Sequence, residues 1–198
     1  MTSEIVRQVI DGIREHRTRF EEFCRSLSEE ELGRQVPEST WTVKDFISHL
    51  ASFDSEMVRW MDLLMAGRLD EAVGGDDGNP YDIDKWNNAR IAERRARPLE
   101  DILAEAARNR SALISAMERL EDGHIGGTLK FPGDAKRPPA EVPFNIFLAG
   151  WARHDPIHAA DMLKALPERT GDAALLAWLD DPAVKWYQST MAGPERGG

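Results

Sequence analysis

Two histidines four residues apart, His154 and His158, stand in the apolar stretch Trp151–Met162. In a helix this spacing stacks both rings on one face, where they can meet a single ion. His49 lies about a hundred residues earlier, in a second apolar segment, Val43–Leu50. The chain has only five histidines. Three neutral imidazoles from two packed helices can hold a divalent metal and leave positions open for water or substrate. Taken alone, a helix histidine is ordinarily a hydrogen-bonded packing residue, and that reading stays open for His49. The protease pattern H-E-x-x-H is absent, because Asp155 follows His154. Its shorter arm argues against its acting as the general base. Pro156, between the two histidines, removes a backbone bond to the carbonyl of Ala152 and predicts a bend, read either as a tolerated kink or as a device that opens space beside the ligands.

Other reactive side chains carry less. Cys24 falls four residues after Phe20 and three before Leu27, which reads as core. His16 lies among charges and His124 in a Gly-rich loop, neither with a partner visible in the sequence. Arg90, Arg94, Arg95 and Arg97 read as a solvated helix face. Trp41, Trp60 and Trp151 are expected to wall the core or a pocket. There is no phosphate-binding glycine loop, no Gly-x-Ser-x-Gly elbow and no dinucleotide fingerprint, which argues against a nucleotide-dependent enzyme.

The elements that must position the histidines have helical period. Ile5, Val9, Ile13, Phe20, Phe23 and Leu27 recur at steps of three, four or seven and predict a helix over 3–27. Ser28–Glu31 fits a capping box and opens a short helical turn before Pro37. Thr42 caps a second long helix, to about Ala66, with Gly67 as its stop. Loop chemistry fills 68–82, where the acidic residues lack the spacing and the closing Glu of an EF-hand. A third helix starts near Ile83, is interrupted by Pro98 and resumes at Leu99. The loop 122–141 holds an extended piece around Thr128–Phe131, and a fourth helix over 142–166 carries the histidine pair. Short helices follow at 172–180 and 182–191, the second with Asp181 as cap and Pro182 at its first position. The sum is an all-α four-helix bundle with long crossover loops plus short C-terminal helices. We divide it into a bundle over 1–166 and a helical extension over 167–198 packed on the same domain. The tail from Gly193 is expected to fray.

Bulk properties narrow the setting. A formal charge of −10 argues against binding phosphate backbones, so no nucleic-acid partner is expected. A single cysteine forms no intramolecular disulfide, and Met1–Ile5 does not begin a signal peptide. No apolar stretch approaches the roughly 20 residues that span a bilayer. A cytoplasmic protein is therefore expected, without a membrane partner.

The segment Trp41-Thr42-Val43-Lys44-Asp45-Phe46-Ile47-Ser48-His49-Leu50 resembles the W-x-V-x-D-x-x-x-H-L signature of the DinB-like superfamily. That group includes bacterial damage-inducible proteins and the N-terminal domain of mycothiol-dependent maleylpyruvate isomerase. Asp84–Arg90 resembles the Asn-bearing start of the family's third helix, and Val142-Pro143 leading into His154 and His158 resembles its fourth. The likeness covers about residues 1–166 in the family's order. It implies a down-up-up-down bundle, often a homodimer, with zinc or nickel on three ligands that match His49, His154 and His158. In the isomerase branch one ligand is a Glu, so the all-His set is closer to the damage-inducible and thiol-transferase-like branch. Because the family's third helix faces the ligands, Asn87 is assigned to the substrate pocket.

Two functions are compatible with these residues. One is a metal-dependent enzyme of the thiol-dependent transferase or isomerase type, acting on a small-molecule substrate with a low-molecular-weight thiol as cofactor. The other is a non-catalytic metal-binding or small-molecule-binding stress-response module. They differ in whether an electrophile is turned over when metal and thiol are present.

Overall fold

Helix α1 (Glu4–Arg25) places Val6, Ile10, Ile13, Phe20 and Cys24 on one buried stripe. That phase leaves Ile5, counted above as apolar face, about 100° away and 41% exposed. The structure is a computed structural model that describes residues 3–71, 82–133 and 138–190. The Gly74–Pro80 loop and the tail from Gly193 lie outside them.

Helix α2 (Glu29–Leu32) begins at the expected capping box, with the Ser28 side chain accepting from Glu31 N and Glu31 accepting from Ser28 N. Helix α3 (Val43–Met65) begins at a second box, in which Thr42 Oγ1 accepts from Asp45 N and Asp45 accepts from Thr42 N. Gly67 ends α3 with φ of +70°. Its N–H reaches the Leu64 carbonyl while Arg68 N reaches Leu63, a paired closure that requires a left-handed residue and so suits glycine.

The region read as a third helix is two, α4 (Ile83–Ala92) and α5 (Leu99–Met117), separated before Pro98 as proline chemistry requires. Strands β1 (Thr128–Phe131) and β2 (Ala140–Pro143) form an antiparallel pair running from Thr128↔Pro143 to Phe131↔Ala140. The second strand gave no sequence signal, having only four residues and no regular alternation.

The fourth helix is also two, which corrects the single 142–166 helix expected above. Helix α6 (Phe144–Trp151) stops, and α7 (His154–Leu163) starts after Ala152 and Arg153. Pro156 is the third residue of α7, where the absent N–H is one of the four a helix start leaves unpaired anyway. The proline ring therefore expels residues 152–153 from the helix instead of bending it. Helices α8 (Ala173–Leu179, capped by Asp172) and α9 (Pro182–Thr190, with Asp181 accepting from Ala183 N) pack against α7.

The apolar interior forms two clusters. One gathers Phe20, Leu32, Ile47, Leu50, Leu103, Met162 and Trp178. The other gathers Ile13, Met57, Met61, Leu113, Met117, Leu129 and Phe144. Burying each large side chain of this kind stabilises the fold by about 1.5–3 kcal/mol. At the seam between the clusters four helices each place a buried charge: Arg17 from α1, Asp54 from α3, Arg110 from α5 and Asp155 from α7. Arg17 pairs with Asp155 through two bonds of 2.9 Å, and Arg110 reaches Asp54 at 2.6 Å and Asp155 at 3.1 Å. Among the described residues, no helix is long and apolar enough to cross a membrane.

Candidate metal centre

Thr42 sets the start of α3, so His49 comes two turns in, on the buried side, 5% exposed. The break before α7 puts His154 at the first position of a fresh helix and His158 one turn later. The rings converge: His154 Nε2 lies 3.4 Å from His49 Nε2 and 3.1 Å from His158 Nε2. One nitrogen from each lies within 4.8 Å of the others.

Their outer nitrogens are held. His49 Nδ1–H donates to Asn87 Oδ1 at 3.1 Å, and His158 Nδ1–H donates to Asp161 Oδ2 at 3.1 Å. Each of these bonds fixes the tautomer, which leaves the lone pair of both Nε2 atoms facing His154. At most one proton, on His154, can lie among three converging nitrogens, so the cluster lacks donors for its lone pairs. A cation would supply what it lacks. A tetrahedral ion about 2.0–2.1 Å from each nitrogen would set them about 3.3–3.4 Å apart, close to the two separations measured from His154. The donor set therefore fits zinc or nickel.

Electrostatics agree with neutral rings. Burial, and then repulsion from His158, hold His49 down to about 3 despite the Asn87 bond. Burial and the neighbouring imidazoles hold His154 well below its ordinary value. Burial acts to raise Asp161, yet bonds from His158, Gln188 and Lys164 bring it to about 2, so it stays an acceptor. Aromatic rings surround the nitrogens: Trp151 lies 4.3 Å from His154 between ring centres, Trp41 and Phe53 flank His49, and Phe46 packs on His158 at 5.5 Å. Trp41 Nε1 donates to Asn88 Oδ1 at 2.9 Å, which holds the middle of α4 beside the neighbouring Asn87 that bonds His49.

The helical match, 150 residues from 13 to 162, is to the model of the DinB superfamily. The chain belongs to that superfamily. Two similar solved structures are those of the mycothiol-dependent maleylpyruvate isomerase and of a variant with one histidine changed to alanine. Each superposes with a TM-score of 0.59 at 15% identity, covering 79% of this chain and 60% of the solved one. This chain thus spans less than two thirds of those proteins, and the likeness concerns the fold. No curated protein matches it.

Several other expectations change. Asp155 points away from the triad into the charged seam, where Arg110 and Arg17 keep it ionised against its burial. His16, read as lacking a partner, accepts from Trp178 Nε1 at 3.0 Å. The loop residue His124 accepts from Glu121 N at 3.0 Å. The arginine run is not wholly solvated: Arg94 is buried and pairs with Glu105, as does Arg97, and Arg95 pairs with Asp45. These partners are distant in sequence, so charge patterning along one helix does not show them. Cys24 is buried in the core as expected, and burial raises its thiol pKa further. Sequence reasoning missed Asp161. Its signal was present, because i+3 from His158 is the spacing that brings a carboxylate to the outer nitrogen of a ligand.

Proposed function

We propose that His49, His154 and His158 hold one zinc or nickel ion and that the protein works on small molecules with a low-molecular-weight thiol. The carrying observation is the convergence of three ring nitrogens whose outer partners, Asn87 and Asp161, leave lone pairs facing inward. A divalent ion held there supplies Lewis acidity and lowers the pKa of a bound thiol or water. Asn87 and Asp161 orient two rings and keep them neutral at Nε2. Trp41, Phe46, Phe53 and Trp151 exclude water and favour apolar substrate surface. The two carboxylates nearest the histidines in sequence, Asp155 and Asp161, are both engaged. Thiol chemistry would suit such a site, because a metal held by His49, His154 and His158 would lower the pKa of a thiol enough for water to take its proton. The solved relatives named for mycothiol and maleylpyruvate supply the first substrates to try. We further read the protein as a cytoplasmic homodimer, with 167–198 as part of the same domain.

The same engaged carboxylates also favour the second reading, a binding module without turnover. The two separate in an assay of metal-loaded protein with mycothiol, glutathione or cysteine and an electrophile, following thiol consumption and isomerisation of a cis-enoate. Turnover that vanishes in His154→Ala is the expected result. Stoichiometric metal without turnover across the panel would leave the binding module.

A further inference from the structure

Helix α9 lies beyond residue 162, where the superfamily match ends, yet it grips the segment that carries two of the histidines. Asp181, which caps α9, accepts from Arg153 Nε at 3.1 Å, and Arg153 immediately precedes His154. Seven residues on, Gln188 Nε2 donates to Asp161 Oδ1 at 2.9 Å, the carboxylate whose other oxygen accepts from His158. Lys164 Nζ adds a bond of 3.0 Å to the same oxygen as Gln188. Tyr187 sets its ring edge-on to His158, 6.2 Å between centres. Residues flanking the histidine pair on both sides are therefore tied to one helix.

The break at Ala152–Arg153 explains why such a tie is needed. Helix α7 has ten residues and is cut loose from α6, and a helix that short has little stability of its own direction. His49, by contrast, rides on a helix of 23 residues. We infer that α9 is a positioning element of the histidine cluster: Gln188 aims Asp161, Asp161 aims the ring of His158, and the Asp181–Arg153 pair fixes the start of α7. This inference rests on the metal reading above and adds that affinity is set in part by residues outside the superfamily's matched region.

The test uses the full chain and zinc alone as probe, with affinity read by competition against a chromophoric chelator. Asp161→Ala is expected to weaken zinc roughly 10–100-fold, the usual loss for a partner of a ligating histidine. Gln188→Ala, one step further out, is expected to weaken it roughly threefold. Asp161→Asn, which keeps an acceptor for His158 Nδ1–H, should recover most of the loss. Cobalt(II) in place of zinc should show shifted visible bands in Asp161→Ala and Gln188→Ala, a change that mere loosening of the surface would not produce. Urea midpoints of the metal-free variants check folding, and Gln188→Ala, on the half-buried side of α9, should keep the wild-type value. Wild-type affinity and an unchanged cobalt spectrum in both alanine variants, with metal lost in His154→Ala, would overturn the inference and leave the metal reading standing. A wild type that binds no zinc would remove both.

Discussion

Adjacent residues of one helix, His154 and Asp155, enter two buried polar clusters that solve burial in opposite ways. Asp155 joins Arg17, Asp54 and Arg110, two positive and two negative charges that neutralise one another at the centre of the bundle. His154 joins His49 and His158, whose inward nitrogens share at most one proton. The first cluster is balanced in charge and structural, although it leaves Arg17 Nη1 and Asp54 Oδ1 without a hydrogen-bond partner. The second carries no opposing charges and turns three ring nitrogens with at most one proton among them toward one another, an arrangement that a cation from outside the chain would complete. A fold-holding cluster of this kind balances its own charges, whereas one suited to a ligand gathers lone pairs that a cation would satisfy.

Substitutions should separate the two. Asp155→Ala leaves two buried guanidiniums facing each other and should lower stability by about 3–5 kcal/mol in urea titrations. If the loss is below about 1 kcal/mol, the seam is not the structural element described. His154→Ala should leave the metal-free protein near wild-type stability, since it removes a ring from a cluster that has too few protons. A loss comparable to that of Asp155→Ala would make the histidines a structural core.

Metal gives the next effect. At zinc a hundredfold above its Kd the folded state gains about 2.7 kcal/mol, which for a domain of this size raises Tm by about 5–10 °C. The shift should vanish in His154→Ala and persist in any folded seam variant. An equal shift in both would place the ion elsewhere.

Acid acts on the histidine cluster in a defined window. The unfolded chain takes up protons on its histidines near pH 6.5, whereas burial keeps His49 neutral to about 3. Below pH 6.5 the unfolded state therefore binds the extra proton, and metal-free stability should fall toward pH 3 by up to about 1.4 kcal/mol per pH unit for that residue. His154, also held low, adds with the same sign. Asp161 contributes stability above about 3.8 that is lost toward 2, a lower window. Unchanged metal-free denaturant midpoints between pH 7 and 5 would contradict buried neutral rings. The smallest effect belongs to exposed charges: Arg119→Ala, which removes the 2.8 Å surface pair with Asp62, should change stability by less than about 1 kcal/mol.

The difference between the clusters also explains what could be read in advance. Histidines at i,i+4 announce themselves by type and spacing, and capping at Ser28, Thr42 and Asp181 is local chemistry legible from a few letters. The charged seam needs partners 37 to 138 positions apart, which no single-helix pattern links. Its trace was nevertheless present: Arg17, Asp54 and Arg110 each occupy a phase of their helix that apolar neighbours mark as buried. The break between α6 and α7 was half legible, since Pro156 marked the place but not whether the helix would bend or stop. The tie from α9 to Asp161 lay beyond sequence reach, because it depends on how two short helices dock.

Elemental analysis of untagged protein, wild type beside His154→Ala, tests the central claim most directly. The account predicts about one zinc or nickel per wild-type chain and none retained by a folded variant. A wild type that carries no metal and takes up none when zinc or nickel is added, or a variant that keeps a full equivalent, would contradict it.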